Sequence, residues 1–171
     1  MDETYTGGCQ CGAVRFRVSG KLREPSICHC RMCQKAFGNF YAPLVGTGKA
    51  ELTWTRGRPK YFQSSNHVKR GFCDNCGTPL SFEAPDGVGL AIGAFDEPGR
   101  VKPVVQFGVE AKIDYVDHLH ELPQEETAAD LANAPYLADV VSYQHPDHDT
   151  AEWTVRTNGD ADHWRPKEQG V

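Results

Sequence analysis

Over residues 13–18 the chain alternates, with Val14, Phe16 and Val18 set between Arg15 and Arg17. A period of two predicts a half-buried strand with the apolar residues facing a core and the arginines facing out. The texture recurs in short runs. Residues 39–45, 51–55, 59–63, 67–72, 78–83, 88–95 and 101–109 each read as a strand, separated by turn residues such as Ser64-Ser65-Asn66 and Pro85-Asp86-Gly87. Gly89 and Gly93 mark close backbone approach or bulges within 88–95. Gly7-Gly8-Cys9-Gln10-Cys11-Gly12 reads as a tight turn. Residues 31–37 suit about two helical turns closed by Gly38. The pattern therefore predicts a mainly β domain of short strands with almost no helix. After Asp114 the texture changes. Residues 125–131 and 136–143 have weak helical spacing, and from Gln144 a polar segment carries His145, His148, Trp153 and Trp164. We expect a domain over 1–123 and an irregular, weakly helical acidic extension over 124–171. That extension wraps the domain, contacts a partner chain or is partly mobile; the second reading makes it a candidate surface for a homo-oligomer.

Composition is that of an ordinary globular chain: 171 residues, 39% hydrophobic and 24% charged. No apolar run reaches the length of a transmembrane helix, so no membrane association is expected. The start, Met-Asp-Glu-Thr-Tyr, is acidic and polar, unlike a secretory signal. Cytoplasmic residence with reduced thiols is the expectation. Charge is uneven: residues 1–123 carry +2 and residues 124–171 carry −7, together −5. There is no dense basic stripe of the kind phosphate backbones require, so no nucleic-acid partner is expected.

All seven cysteines fall in three clusters: Cys9-x-Cys11, Cys28-His29-Cys30-x-x-Cys33 and Cys73-x-x-Cys76. An odd number argues against a full disulfide framework. Zinc takes thiolate and imidazole ligands in a tetrahedron, and a two-residue spacer lets one turn present two thiolates to one ion. Cys73 and Cys76 have that spacing and are followed by Gly77. Cys9 and Cys11, framed by Gly8 and Gly12, can supply the other two ligands of a closed structural site. Cys28, Cys30 and Cys33 remain. Three protein ligands and a free fourth position is the pattern of a catalytic zinc. The other readings of this trio are a second structural zinc completed by His29 or a distant histidine, and a redox pair. Three thiolates on one divalent ion leave a net charge of −1. Such an ion is a weak Lewis acid toward water but is suited to holding an incoming thiol as thiolate.

For the proton donor the chain offers His29, His67, His118 and His120, each better read as a solvated or hydrogen-bonded histidine, and none is taken as catalytic. Arg15, Arg17, Arg31 and Lys35 could attract substrate carboxylates or form an ordinary solvated face. The His145-Pro146-Asp147-His148-Asp149 run could ligate a metal, but is better read as a polar turn lying against the domain or a neighbour.

In order and spacing, Gly-Gly-Cys9-x-Cys11-Gly-x-Val-Arg15, Cys28-His29-Cys30-x-x-Cys33-Gln34-Lys35 and Phe72-Cys73-x-x-Cys76-Gly77-Thr78-Pro79-Leu80 resemble the glutathione-dependent formaldehyde-activating enzyme family. That family also includes centromere protein V. The resemblance spans residue 7 to about 123, closing at Leu122-Pro123. It implies a β-tent fold of mostly antiparallel strands, a structural zinc on Cys9, Cys11, Cys73 and Cys76, and a catalytic zinc on Cys28, Cys30 and Cys33, two zinc ions per chain. The implied activity is that of a carbon–sulfur lyase. A small-molecule thiol such as glutathione adds to an aldehyde such as formaldehyde and gives an S-hydroxymethyl adduct. The alternative is a zinc-stabilised, non-catalytic binding module for a protein partner. The chain departs from the family pattern where a histidine is expected on the last strand, which here reads Val104-Val105-Gln106-Phe107. It departs again where a tryptophan is expected nearby, at Ile113-Asp114-Tyr115.

Overall fold

The computed structural model describes residues 3–156; Trp164 and the rest of the polar terminus lie outside them. Ten strands and one α-helix follow in the order β1 (Thr4–Gly8), β2 (Arg15–Ser19), β3 (Ser26–Cys28), α1 (Arg31–Phe37), β4 (Ala42–Gly46), β5 (Glu51–Arg56), β6 (Lys60–Gln63), β7 (Lys69–Phe72), β8 (Pro79–Ala84), β9 (Gly87–Ala91) and β10 (Val105–Phe107). They form a three-stranded sheet, β1-β2-β5, and a seven-stranded sheet, β10-β3-β4-β9-β8-β7-β6. Every pairing is antiparallel except that of β10 with β3. The fold is mainly β, as the alternation predicts. Among the described residues no helix is long and apolar enough to cross a membrane.

The inward residues of β2 supply the core of the small sheet. Val14, Phe16 and Val18 are buried in one cluster with Val45, Leu80 and Leu90 of the large sheet. Phe16 meets Trp54 and Phe95 edge-on, at centroid distances of 5.9 and 5.2 Å, a favoured aromatic geometry. To place Phe95 there the chain must leave β9 early. The expected strand to residue 95 therefore ends at Ala91 and gives way to one 3-10 turn, Ile92–Ala94. The expected strand over 101–109 shrinks to three residues for related reasons. Pro103 cannot donate to a ladder, and Gly108, at φ +64°, turns the chain out of the sheet. Two strands went unread. β1 carries Gly7-Gly8, which resembles a turn in sequence, and β3 is only three residues long. Helix α1 matches its expected span and ends at Gly38, at φ +57°, whose N–H bonds the carbonyls of Gln34 and Lys35.

Arg15 corrects the outward-facing expectation. It points away from the apolar core, yet it is only 3% exposed. Its guanidinium donates to both carboxylate oxygens of Asp96 at 2.7 and 2.6 Å, and to Asp149 at 2.8 Å. Thr6 donates its hydroxyl to Asp96 at 2.6 Å. Asp149 belongs to the C-terminal segment, which lies back on the domain. His145 N–H bonds the Gln10 carbonyl at 2.8 Å, Trp153 Nε1 bonds the Cys11 carbonyl at 2.8 Å, and Arg56 bonds the Thr150 carbonyl at 2.7 Å. The extension is thus fastened by 144–156. The weak helices expected at 125–131 and 136–143 are instead short 3-10 turns, Thr127–Asp130 and Pro135–Asp139.

Burial opposes ionisation of Asp96, but the hydrogen bonds from Arg15 and Thr6 outweigh it and hold the carboxyl below its ordinary pKa. Asp96→Asn should therefore cost about 3 kcal/mol at neutral pH, the scale for breaking a buried pair. The folded pKa lies below the unfolded one. The stabilisation is then complete above the ordinary aspartate value of about 3.9 and is lost as pH falls through the folded value. Urea denaturation of both proteins across that range measures it. Their stability difference should shrink with acid, and parallel curves would contradict the pair.

Candidate metal centres and cleft

Two backbone turns build the first cysteine group. Just after β1, Cys9 N–H bonds the Val14 carbonyl at 2.9 Å and Gly12 N–H bonds the Cys9 carbonyl at 3.0 Å. Just after β7, Gly77 N–H bonds the Cys73 carbonyl at 2.8 Å and Cys73 N–H bonds the Thr78 carbonyl at 3.0 Å. The turns are tied together by Gln10 N–H donating to Thr78 Oγ1 at 3.1 Å. Cys9, Cys11, Cys73 and Cys76 then have all four sulfurs within 4.8 Å of one another. The donor set fits zinc. Sulfurs about 2.3 Å from a tetrahedral ion stand about 3.8 Å apart, and here Cys9–Cys11 is 3.6 Å and Cys11–Cys73 is 3.8 Å. No disulfide forms; one would require about 2.05 Å. Val14 N–H and Asn75 Nδ2 donate to the sulfurs of Cys9 and Cys11, each at 3.2 Å, as suits thiolate acceptors. Burial raises the Cys9 thiol and holds Cys73 up at about 11. Burial also opposes ionisation of Cys76, but hydrogen bonds from Thr78 bring it down to about 7.

The C-terminal segment roofs this group. Asn75 Nδ2 also donates to the Arg156 carbonyl at 2.7 Å, and the Trp153 ring meets that of His145 at 4.7 Å. Gly12, at φ +74°, has no room for a Cβ because His145 and Trp153 occupy that space. His145 and Asp149 serve this packing and not a metal group of their own, and His148 is exposed.

A strand-to-helix junction builds the second group. Cys28 ends β3, Cys30 precedes α1 and Cys33 sits in its first turn. Their sulfurs also lie within 4.8 Å of one another, with no fourth cysteine, histidine or carboxylate among the described residues. His29 does not join them. It is buried, its N–H bonds the Phe107 carbonyl, and its Nε2 is 2.8 Å from Gln106 Oε1. Gln106 stands on the strand where the family pattern expects a histidine, and here it holds His29. Gln34 is buried and locks the junction by donating to the carbonyls of His29 and Ala111 at 2.6 and 3.0 Å. Gly108 packs so closely on Cys30 that a Cβ would stand 2.8 Å from its backbone nitrogen. Within the trio, a hydrogen bond from Cys28 and another from Arg70 hold Cys33 down at about 5, against burial, while Cys28 is raised.

Cys28 and Cys33 open onto a cleft of about 690 Å³. Leu44, Phe82, Val88, Val105 and Phe107 give it apolar walls, and Arg23, Glu24 and Asp86 stand along it. The other candidates lie elsewhere. Arg15 and Arg17 bind Asp149, Arg31 bonds Gln34, and His67, His118 and His120 are exposed and line no part of the cleft. Arg70 went unnoticed in the sequence, and Gln34 and Gln106 were given no role there. Gln34 and Gln106 carried a signal only through their place in the motif and on the last strand; Arg70 carried none.

Comparison with known proteins agrees with the motifs. The family model described as glutathione-dependent formaldehyde-activating enzyme matches residues 4–111. An uncharacterized lyase of Schizosaccharomyces pombe is 31% identical over 83 residues, 48% of this chain and 60% of its own length. This chain thus spans about 60% of the length of that relative. A Halomonas elongata protein named for glutathione-dependent formaldehyde activation is 26% identical over 167 residues, 88% of this chain and 94% of its own. A crystal structure of a Rhodobacter sphaeroides protein covers 59% of this chain and 98% of its own, at 23% identity and a TM-score of 0.46. With the family model spanning most of the chain and both cysteine groups assembled inside it, this protein belongs to the glutathione-dependent formaldehyde-activating enzyme family.

Proposed function

We propose that this protein is a zinc-dependent, carbon–sulfur lyase-type enzyme that joins a glutathione-like thiol to formaldehyde or a related small aldehyde. The observation that carries the reading is the contrast between the two cysteine groups. Four sulfurs are complete and roofed by the C-terminal segment; three sulfurs are incomplete and open onto a cleft. In this reading Cys9, Cys11, Cys73 and Cys76 hold a structural zinc, and Cys28, Cys30 and Cys33 hold a catalytic one. The division into a zinc-binding domain over 1–123 and an extension over 124–171 belongs to the same proposal, with 144–156 acting as a fastening.

Bound at the trio, zinc would supply a lowered thiol pKa and hence a ready nucleophile. The chain's own residues do the rest. The cleft places thiol and aldehyde side by side, which removes the entropy of a two-body encounter. Its apolar walls strip water from the reacting atoms. The sulfur lone pair forms the new bond to the aldehyde carbon, and the carbonyl electrons move to oxygen. The proton released by the thiol balances the new hydroxyl. Ser26, Glu24 and Asp86 are the polar cleft groups within which that proton can exchange with solvent. The reverse reaction breaks the same carbon–sulfur bond.

Zinc per chain, measured by elemental analysis, should be about two, with one ion leaving to a mild chelator while the fold persists. Product formation from glutathione and formaldehyde should be lost with that ion and return with it. One tightly held zinc that cannot be raised by added metal, together with an inactive protein, would favour the binding module.

The groups should also respond differently to mutation. A structural zinc contributes on the order of 10 kcal/mol, comparable to the whole stability of a domain. Cys73→Ser should therefore fail to fold, whereas Cys30→Ser should keep its circular dichroism and thermal transition but fall to background turnover. A folded, active Cys73→Ser protein would overturn the structural assignment.

A further inference from the structure

Arg70 is a buried cation without a carboxylate. It lies on β7, in the interior of the seven-stranded sheet, and is 4% exposed. Its Nε donates to Ser64 Oγ at 3.0 Å, and its guanidinium carbon stands 4.9 Å from the centre of the Phe82 ring. Its Nη1 is buried with no hydrogen-bond partner, and its Nη2 donates to the Cys33 sulfur at 3.4 Å. Among the described residues no aspartate or glutamate lies within ion-pair distance; Glu83 on the adjacent strand is engaged by Lys69 at 2.9 Å. A guanidinium does not lose its proton in proteins. Removing one from water without a counter-charge costs several kcal/mol, so a nearby anion has to balance it. The sulfur cluster at Cys33 is the anion within reach.

We propose that Arg70 is the counter-ion of the three-cysteine site and the positioning residue that makes its open position receptive to an anionic ligand. This rests on the metal reading above and deepens it. Three thiolates and one divalent ion sum to −1, and Arg70 brings the buried site to neutrality. An incoming thiolate then raises the local charge to −1 instead of −2. A neutral ligand gains nothing comparable from the arginine. The arginine therefore favours a thiolate over an uncharged donor, which is the selectivity that thiol–aldehyde chemistry requires.

The test is spectroscopic and needs no turnover. The full chain is loaded with Co²⁺, and 2-mercaptoethanol or imidazole is titrated in at fixed pH while the cobalt d–d and sulfur-to-cobalt bands are followed. The four-cysteine group contributes a constant background. Arg70→Met should weaken apparent thiolate affinity by about tenfold or more, the scale of one nearby charge, and leave imidazole affinity nearly unchanged. Arg70→Lys should restore most of the thiolate preference. If Arg70→Met does not fold, Arg70→Gln, which keeps an amide donor for Ser64, supports the same comparison. An unchanged ratio of thiolate to imidazole affinity in a folded, charge-neutral variant would overturn the role of Arg70 alone. A wild-type trio that takes up no cobalt would overturn the metal reading and this proposal together, leaving Arg70 as the partner of a metal-free Cys33 thiolate.

Discussion

The sulfur of Cys11 stands 3.8 Å from that of Cys73, across 62 residues of chain. Holding thiolates that close requires something to offset their mutual repulsion, and the rest of the architecture depends on how that is done. Cys9 and Cys11 follow directly from β1, on the small sheet; Cys73 and Cys76 follow directly from β7, on the large one. Their meeting point is thus where the two sheets are joined at the margin of the apolar core, in which Cys9 and Cys73 are themselves buried. The core itself is modest: its largest fully buried apolar side chains are Phe16, Leu80 and Leu90. A chain of this size with so few large interior residues gains much from a tie between distant segments, because the entropy of closing the loop is removed from the unfolded state only when the tie is made.

The C-terminal segment extends the same logic. Asp96 takes up only part of the Arg15 donor fork, and Asp149 accepts from its Nε and Nη2 from 134 residues away while also binding Arg17. Trp153 and His145 then cover Gly12 and donate to backbone carbonyls of the first cysteine turn, Trp153 Nε1 to Cys11 and His145 N–H to Gln10. An acidic extension after a mildly basic domain is therefore a charge-complementary fastening. Its ion pairs sit at the edge of burial, where they are worth more than exposed ones.

Much of this was legible residue by residue. The alternation at Val14, Phe16 and Val18 places three core residues, Gly38 ends the helix, and the motifs foretell the division of the seven cysteines into a group of four and a group of three. What escaped was long-range. Arg15 reads as an outward-facing strand residue because nothing local announces Asp149. The Gly7-Gly8 pair reads as a turn because the reason for small residues is non-local: Ala94 and the Phe16 ring press on Gly7. The 3-10 turn after Ala91 exists to deliver Phe95 to Phe16, a packing demand that strand periodicity does not express. Arg70 escaped for the same reason as Arg15. A charged residue in a short strand reads as solvent-facing unless its counter-charge is known, and here that counter-charge is a sulfur cluster 37 residues earlier.

Arg70 also links the two cysteine groups physically. Two residues separate it from Cys73, and β7 runs straight from one into the turn that carries the other. The closed group fixes the end of β7, and β7, paired on both sides with β6 and β8, fixes the depth at which the guanidinium meets Cys33. The trio is anchored by other contacts, those of Gln34, Gln106 and Gly108 at the β3–α1 junction. Charge and ligands of the open site thus come from two separately braced parts of the sheet. In the proposed reading this separation has a physical reason: the site that must stay open cannot also be the one that holds the sheet in place.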